Sequence, residues 1–150
     1  MRVSSFTIDG SDSYGIADGD TLREASDAFR ERYPDLRSVI AAGDLAALAD
    51  NSSQNQFDAG DVTLLPPIPN PDKIICVGVN YRPHAEEMGR ELPEWPLLFV
   101  RFAGSVTGHR CPIVRPRAST RFDFEGEFAV VIGQACRHVQ RSEALDVICL

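Results

Sequence analysis

The amino-acid sequence predicts an α+β protein that is mainly β, with a small N-terminal α/β unit followed by a β-rich region. Short strand-like runs and helical patterns share the first 62 residues. The remainder has several short apolar runs with little helix between them, each bounded by Gly, Pro or Asn. Successive short strands of this kind are typical of an antiparallel or mixed sheet.

The N-terminal unit is predicted to open with a hairpin and to continue with helices. Strand-like runs cover residues 1–8 and 14–17, and the turn-rich "DGSDS" separates them. Thr21 and Glu24 fit a capping box, and an apolar face follows them, which together predict a helix over residues 21–32. Two shorter helical segments are predicted next, over residues 36–43 and 44–50.

A linker is predicted between the two parts of the chain. Residues 50–61 are polar and show neither a helical nor a strand period. Residues 64–71, "LLPPIPNP", contain four prolines, which stiffen the chain into an extended connector. The sequence therefore predicts a small N-terminal domain over residues 1–62 and a second domain over residues 63–150.

The second domain is predicted to be built from short strands. An amphipathic helix is predicted from residue 141, because apolar residues recur there in helical phase. The predicted strands cover residues 73–80, 96–102, 111–114 and 124–133.

Charge and composition exclude several classes of function. The net charge of −7, from 15 basic and 22 acidic residues, argues against nucleic-acid binding, which needs clustered positive charge. No apolar run approaches the roughly 20 residues of a membrane span, and the N-terminus lacks the apolar core of a signal peptide. We therefore expect a cytoplasmic protein with four reduced cysteines and a small-molecule or protein partner.

An acidic pair stands out in the segment "FDFEGEFAVVIG". On a strand, Glu125 and Glu127 would project from the same face, and Gly126 would leave the opposite face open. Two adjacent carboxylates repel unless water or a cation screens them, and Mg²⁺, Mn²⁺ and Ca²⁺ prefer such oxygen ligands. The alternative is a solvated face of the strand.

A second candidate site lies in "VGVNYRPHAEEMG". Pro83 suits the first turn of a helix, on which His84 and Glu87 would lie three residues apart on one face. A carboxylate beside an imidazole supports a general base near neutral pH. The alternative is an exposed helix surface. Arg101, at the end of a predicted strand, could bind a substrate carboxylate, although a surface salt bridge is the commoner use of such a residue.

Three ordered segments resemble the fumarylacetoacetate hydrolase family: "PPIPNPDKIICVGVNYRPHAEEMG", "PLLFVRFAGSVTGHRCPIVRP" and "FDFEGEFAVVIG". The resemblance spans residues 64–150, and the first 60 residues are similar to the small N-terminal domain of bacterial members. It implies a catalytic domain that is a mixed β-sandwich roll. It also implies a homodimer that acts on small oxo-acids through a divalent metal.

The resemblance also assigns roles to residues. It implies that Glu125 and Glu127 are metal ligands, that His84 and Glu87 activate the attacking water, and that Arg101 stands at a substrate-binding position often occupied by Lys. The implied reaction is cleavage of a C–C bond in a 1,3-dicarbonyl oxo-acid such as an acylpyruvate. The same site could instead run isomerisation or decarboxylation of 2-hydroxymuconate-like or oxaloacetate-like acids, and a non-catalytic interaction module is the third alternative.

The resemblance implies a longer catalytic domain than residues 63–150 provide. Family members carry a third metal ligand, an aspartate, in a segment that would follow residue 150. Asp123 and Asp146 are poor substitutes for it, because the first lies outside the family's ligand set and the second lies on the predicted helix. We therefore expect the catalytic domain to be incomplete in this chain and its activity to be impaired.

Overall fold

The computed structural model describes residues 1–149 and contains both α-helices and β-strands, with strands in the majority and antiparallel sheets. The predicted α+β, mainly β class is confirmed. The chain forms two compact units, one made of Met1–Ile68 with the described residues from Thr107 onward, and the other of Pro69–Val106. The boundary between residues 62 and 63 stays a prediction.

The first unit contains an antiparallel five-stranded sheet in the order β4-β3-β2-β1-β5. The predicted N-terminal hairpin is confirmed as β1 and β2. Asp9 and Gly10 connect these strands with φ values of 50° and 78°, and this pairing of positive φ angles is what a tight two-residue hairpin requires. The strands are β1 (Val3–Ile8), β2 (Ser11–Asp18), β3 (Thr21–Ala25), β4 (Ser52–Asp58) and β5 (Thr63–Leu64).

The helix predicted over residues 21–32 is wrong in its first part. Thr21–Ala25 is strand β3, and helix α1 spans only Asp27–Arg32. Side chains of β3 alternate between exposed and buried as far as Glu24, and its backbone pairs with β2. Pairing with β2 satisfies the backbone N–H and C=O groups of this segment. In a helix, a capping box at Thr21 would have satisfied the first backbone N–H groups.

The capping box of this unit lies instead on helix α2 (Leu36–Ala41). The backbone N–H of Ser38 donates to Asp35 Oδ1 at 2.7 Å, and the N–H of Asp35 donates to Ser38 Oγ at 3.2 Å. The helical segment predicted next is a 3₁₀ helix at Leu45–Leu48. The sequence thus predicted a capping box in this unit, but the box lies at Asp35 and Ser38 instead of at Thr21 and Glu24.

The linker predicted over residues 50–61 is also wrong, because Ser52–Asp58 forms strand β4. This strand lies at the edge of the sheet, so that most of its side chains are polar and exposed. Phe57 is its apolar contribution, with a ring centroid 6.0 Å from that of Phe6 on β1. An edge strand with few buried positions carries no clear period, which is why the sequence pattern did not reveal it.

One face of the sheet packs against the helices to form the core of the unit. The rings of Phe29 and Tyr33 meet edge to face at 5.0 Å, an arrangement that adds to their burial. The Tyr14 hydroxyl, on a fully buried side chain, donates to the backbone oxygen of Tyr33 at 2.6 Å. The buried core cluster comprises Tyr14, Ile16, Ala25, Phe29, Tyr33, Leu36, Val39, Ile40 and Leu48.

A partly buried ion pair joins strand β3 to helix α1. Glu24 is 5% exposed and accepts a hydrogen bond from Ser13 Oγ at 2.5 Å, while Arg30 Nη1 lies 2.6 Å from the same carboxylate. Arg30 also contacts Asp27 Oδ1 at 2.6 Å. Glu24 is the buried member of the pair, so removal of Arg30 would leave a buried carboxylate without its cation and lower the stability of the unit.

The second unit contains the strands predicted over residues 73–80 and 96–102. They form the antiparallel pair β6 (Ile74–Gly78) and β7 (Leu97–Arg101), and helix α3 (Arg82–Glu87) follows β6. Cross-strand register places four apolar side chains on one face of this pair, and all four are exposed: Ile75, Val77, Leu98 and Val100.

Two other predicted strands are not present as strands. Residues 111–114 have no regular secondary structure, and within residues 124–133 only an isolated bridge joins Ile132 to Ile148. The amphipathic helix predicted from residue 141 is a 3₁₀ helix at Arg141–Val147. Extended segments become strands only when a neighbour satisfies their backbone groups, and no ladder forms with these segments in residues 1–149.

The close approach of β2 and β3 predicts that Gly15→Ala disrupts the first unit. A Cβ at this position would lie 2.0 Å from the backbone oxygen of Arg23. We expect a loss of about 1–3 kcal/mol or more in the free energy of unfolding, measured by urea titration followed by circular dichroism. Gly104→Ala is the control, since no atom lies within 4 Å of its added Cβ. Equal stability of Gly15→Ala and the parent would contradict the close packing.

Burial of Tyr14 predicts a loss of stability at alkaline pH. Desolvation raises the pKa of this phenol to about 12, against an ordinary value of 10.0. Between these values the unfolded chain loses the proton while the folded chain keeps it, so stability is fully present below pH 10 and falls as the pH rises toward 12. Tyr14→Phe should flatten this decline in urea titrations between pH 9 and pH 12, whereas identical slopes in both proteins would be the contrary result.

Candidate functional site

His84 and Glu87 lie on helix α3, as the sequence predicts. Pro83 occupies the first turn, and His84 Nδ1 lies 3.7 Å from Glu87 Oε2 in an i,i+3 arrangement. The two side chains are 57% and 81% exposed. An exposed pair of this kind contributes only about 0–1 kcal/mol to the free energy of unfolding, so it does little to stabilise the fold. It does keep a carboxylate within electrostatic reach of an accessible imidazole.

Helix α3 is short, but one of its residues is deeply buried. Ala85 is 1% exposed, and its N–H donates to the backbone oxygen of Tyr81 at 3.0 Å. The N–H of Met88 donates to the oxygen of His84 at 3.1 Å. The buried Ala85 therefore holds the helix in place while His84 and Glu87 project from it toward solvent.

The connection before helix α3 contains a feature that the sequence did not predict. Strand β6 ends at Gly78 rather than at Asn80, and Val79 follows it with a φ of 53°. Positive φ is rare for a β-branched residue, because its side chain crowds the backbone in this region. A valine after an apolar run is typical of a continuing strand, so no signal in the sequence pointed to this bend.

Arg101 is the last residue of strand β7 and belongs to the same compact unit as His84. Its guanidinium carbon lies 5.1 Å from the centroid of the Phe99 ring, two residues earlier on the same strand. A cation–π contact at an exposed site contributes about 0.5–1 kcal/mol and restricts the side chain. The planar donor fork of Arg101 remains suited to a carboxylate, and its substrate-binding role stays a prediction.

Glu125 and Glu127 lie in an exposed segment without regular secondary structure, in the other compact unit. Apart from its two chain neighbours, no described residue has an atom within 4 Å of a Cβ built on Gly126, so the backbone between the glutamates is open on that side. The segment is fixed further along, where Gly133 N–H donates to the Val147 oxygen at 2.8 Å. The two glutamates are therefore accessible, but the expected strand that would align their side chains is absent.

The donor chemistry of these glutamates suits a hard divalent cation, which prefers carboxylate oxygens. No group of three or more His, Cys, Asp or Glu residues within residues 1–149 is arranged to hold a metal ion. Asp123 Oδ1 accepts a hydrogen bond from the N–H of Phe124 at 2.9 Å, so this carboxylate is used locally. Glu125 and Glu127 thus fit a divalent cation in donor type, and their role as metal ligands stays a prediction.

His138 is exposed, and its Nε2 accepts a hydrogen bond from Arg137 Nε at 3.1 Å. No helix among the described residues is both long and apolar enough to cross a membrane.

Comparison with known proteins identifies related sequences. A family profile described as "Fumarylacetoacetate (FAA) hydrolase C-terminal" matches residues 73–150. An uncharacterized protein of Methanocaldococcus jannaschii is 45% identical over 78 residues, which are 52% of this chain and 33% of that protein. The mitochondrial oxaloacetate tautomerase fahd2 of Xenopus laevis is 39% identical over 101 residues, covering 67% of this chain and 32% of that enzyme. The human oxaloacetate tautomerase FAHD2A is 40% identical over 85 residues, covering 57% and 27%.

Solved structures share the fold over nearly the whole chain. A putative uncharacterized protein from Mycobacterium abscessus superposes with a TM-score of 0.68 at 28% identity, covering 99% of this chain and 52% of that one. A putative HpcE protein from Mycobacterium smegmatis gives a TM-score of 0.71 at 25% identity, with 96% and 51% covered.

This chain matches only part of each curated relative named above, between 27% and 33% of that relative's length. The match to the family profile begins just before β6 and includes His84, Glu87, Arg101, Glu125 and Glu127. Since this profile accounts for more than half of the sequence, the chain belongs to the fumarylacetoacetate hydrolase family.

Proposed function

We propose that this chain supports proton transfer on a small oxo-acid, interconverting the enol and keto forms of an oxaloacetate-like substrate. The observation that carries the proposal is the pairing of His84 with Glu87 at 3.7 Å on an exposed helix surface. Enol–keto interconversion consists only of proton movements, and an imidazole beside a carboxylate suits them. Relatives named oxaloacetate tautomerases, at 39% and 40% identity, agree with this choice of reaction.

In the proposed reaction His84 accepts the enol O–H proton, and the imidazolium so formed delivers that proton to the carbon next to the new carbonyl, which returns His84 to its neutral form. The C–C double bond becomes a single bond as the carbonyl forms, so atoms and charge balance without any other reactant. Glu87 stabilises the imidazolium during the transfer, because its carboxylate faces the protonated ring. Arg101 would bind a substrate carboxylate through its planar fork.

Glu125 and Glu127 are proposed as carboxylate ligands of a divalent cation, Mg²⁺ or Mn²⁺ in preference to Ca²⁺. When bound, such an ion supplies Lewis-acid chemistry, which stabilises negative charge on an oxygen atom that binds to it. The exposure of both glutamates and the open backbone at Gly126 support this assignment. Assembly as a homodimer and a cytoplasmic location stay predictions.

Cleavage of a C–C bond in a 1,3-dicarbonyl acid is the second candidate function. The match to a hydrolase family profile favours it, and His84 would then remove a proton from water instead of from the enol. Product analysis separates the two reactions, because only hydrolysis converts one dicarbonyl acid into two shorter acids. Release of CO₂ would indicate the decarboxylase alternative, and no conversion of either substrate would favour a non-catalytic interaction module.

Substitution of His84 provides the main test of the proposed function. With Mg²⁺ or Mn²⁺ present, we expect His84→Ala to lower the rate of oxaloacetate tautomerisation by about 10²–10⁴-fold, since a general acid–base group contributes that much. The rate is followed by the ultraviolet absorbance of the enol. Glu87→Gln should cause a smaller loss, because it removes the charge that stabilises the imidazolium.

Glu86→Gln is the matched control, since Glu86 lies on the same helix and outside the His84–Glu87 pair. It should leave the rate unchanged. Equal activity of His84→Ala and the parent, or a comparable loss in Glu86→Gln, would rule out the assigned role of His84.

Calorimetric titration with Mn²⁺ tests the metal assignment independently of turnover. Glu125→Gln and Glu127→Gln should each weaken binding by at least about tenfold, because each removes one charged ligand from the cation. Asp123→Asn is the control and should bind as the parent does, since Asp123 hydrogen-bonds to its own backbone neighbour. If both glutamate variants retain the parent affinity, the cation binds elsewhere or not at all.

A further inference from the structure

A strained backbone residue separates strand β6 from the helix that carries His84. Three residues, 79–81, connect Gly78 to the start of helix α3 at Arg82. Val79 has a φ of 53°, in the left-handed region where a branched Cβ crowds its own backbone. The three other non-glycine residues with positive φ in residues 1–149 are Asp9, Arg110 and His138, none of which is β-branched. Val79 is therefore the most strained of these positions on steric grounds.

Both ends of this connection are held by other contacts. On the strand side, Gly78 pairs with Leu97 in the β6–β7 ladder, and a Cβ at Gly78 would lie 3.2 Å from Leu97 Cδ2. On the helix side, Ala85 is fully buried and its N–H bonds to the Tyr81 oxygen. Ala85 is the buried residue of helix α3 and anchors it at one point, so the direction of the helix axis depends on the dihedral angles of the short connection. Val79 contributes to that direction by adopting the left-handed conformation.

We propose that Val79 is a positioning residue for His84: its left-handed backbone fixes the direction in which helix α3 leaves strand β6. The bulk of the valine side chain makes the left-handed well narrow, so the helix has one orientation instead of a range. Backbone strain of this type is found where surrounding structure holds a functional group in place. The assignment of His84 as the group that transfers protons rests on the proposed function, whereas the restraint on helix α3 does not.

Replacement of Val79 by glycine separates strain from positioning. Glycine adopts positive φ without steric cost, so Val79→Gly removes the strain, but it also widens the range of backbone angles at this position. We therefore expect the thermal midpoint to stay unchanged or rise while helix α3 becomes less restrained. Val79→Asn should lie between the parent and Val79→Gly, because Asn tolerates the left-handed region but keeps a side chain.

Amide hydrogen exchange measures the restraint directly. In Val79→Gly, the amides of Ala85 and Met88 should exchange about tenfold faster than in the parent, while the amides within β6 and β7 keep their exchange rates. Val106→Gly is the matched control, because Val106 has an extended φ of −111° in the same compact unit. It should leave both sets of amides unaffected.

Turnover provides the second readout. Misplacement of a catalytic group lowers kcat with little effect on substrate binding, so Val79→Gly should lower kcat of oxaloacetate tautomerisation roughly tenfold at constant KM. A merely structural role would instead lower the thermal midpoint and speed exchange in β6 and β7 together with helix α3.

Unchanged exchange at Ala85 and Met88 in Val79→Gly overturns the proposal, and so does a joint loss of protection in the strands. Faster exchange confined to helix α3, combined with absence of turnover in every variant and in the parent, supports the restraint by Val79 and rejects the proposed tautomerase function. Hydrogen exchange thus tests the restraint by Val79, and turnover tests the proposed tautomerase function.

Discussion

Pairing of backbone hydrogen-bond groups decides which extended segments of this chain become strands. Between β1 and β5 each segment finds an antiparallel neighbour, and the resulting sheet buries Tyr14 and its helical partners on one side. The segment that carries Glu125 has similar apolar residues after it, yet it forms only the bridge between Ile132 and Ile148. Apolar residues alone are thus not sufficient to form a strand. An extended segment also needs a neighbouring strand to satisfy its backbone N–H and C=O groups. The difference between the ordered sheet and the irregular acidic segment follows from this constraint.

The same constraint explains how much of the fold and site the sequence predicted. Local signals identified the first hairpin, β6, β7 and the helix of His84, because a tight turn or a proline at a helix start acts over a few residues. Thr21–Ala25 was misassigned as helix since its capping pattern is local, whereas its pairing with β2 joins residues distant along the chain. The left-handed conformation of Val79 could not be predicted, because a valine after an apolar run is typical of a continuing strand. The helix of His84 and the strand of Arg101 were therefore predictable, but the bend at Val79 and the irregular backbone at Glu125 and Glu127 were not.

Solvent exposure limits what the two candidate pairs can do on their own. His84 and Glu87 are both more than half exposed, so the high dielectric constant of water weakens their interaction even at 3.7 Å. The field of Glu87 on the imidazole is accordingly weak in water. It strengthens only when a bound substrate displaces solvent, since electrostatic interactions grow as the surrounding dielectric falls. A short, directionally fixed helix is then useful, because the substrate meets the imidazole already in place and no ordering of the backbone is needed at that step.

Access of water also distinguishes the two candidate reactions. Tautomerisation and hydrolytic C–C cleavage both require a group that accepts a proton, so the role proposed for the His84–Glu87 pair is compatible with either reaction. The two reactions differ in the source of that proton. In tautomerisation it comes from an enol oxygen, whereas in hydrolysis it comes from a water molecule that then attacks the carbonyl carbon. At an imidazole that is 57% exposed, water is abundant, so selectivity for tautomerisation must come from groups that cover the substrate carbon. A family motif can therefore be retained while the reaction changes, because the deciding feature is the shielding around the carbonyl and not the proton-transfer pair itself.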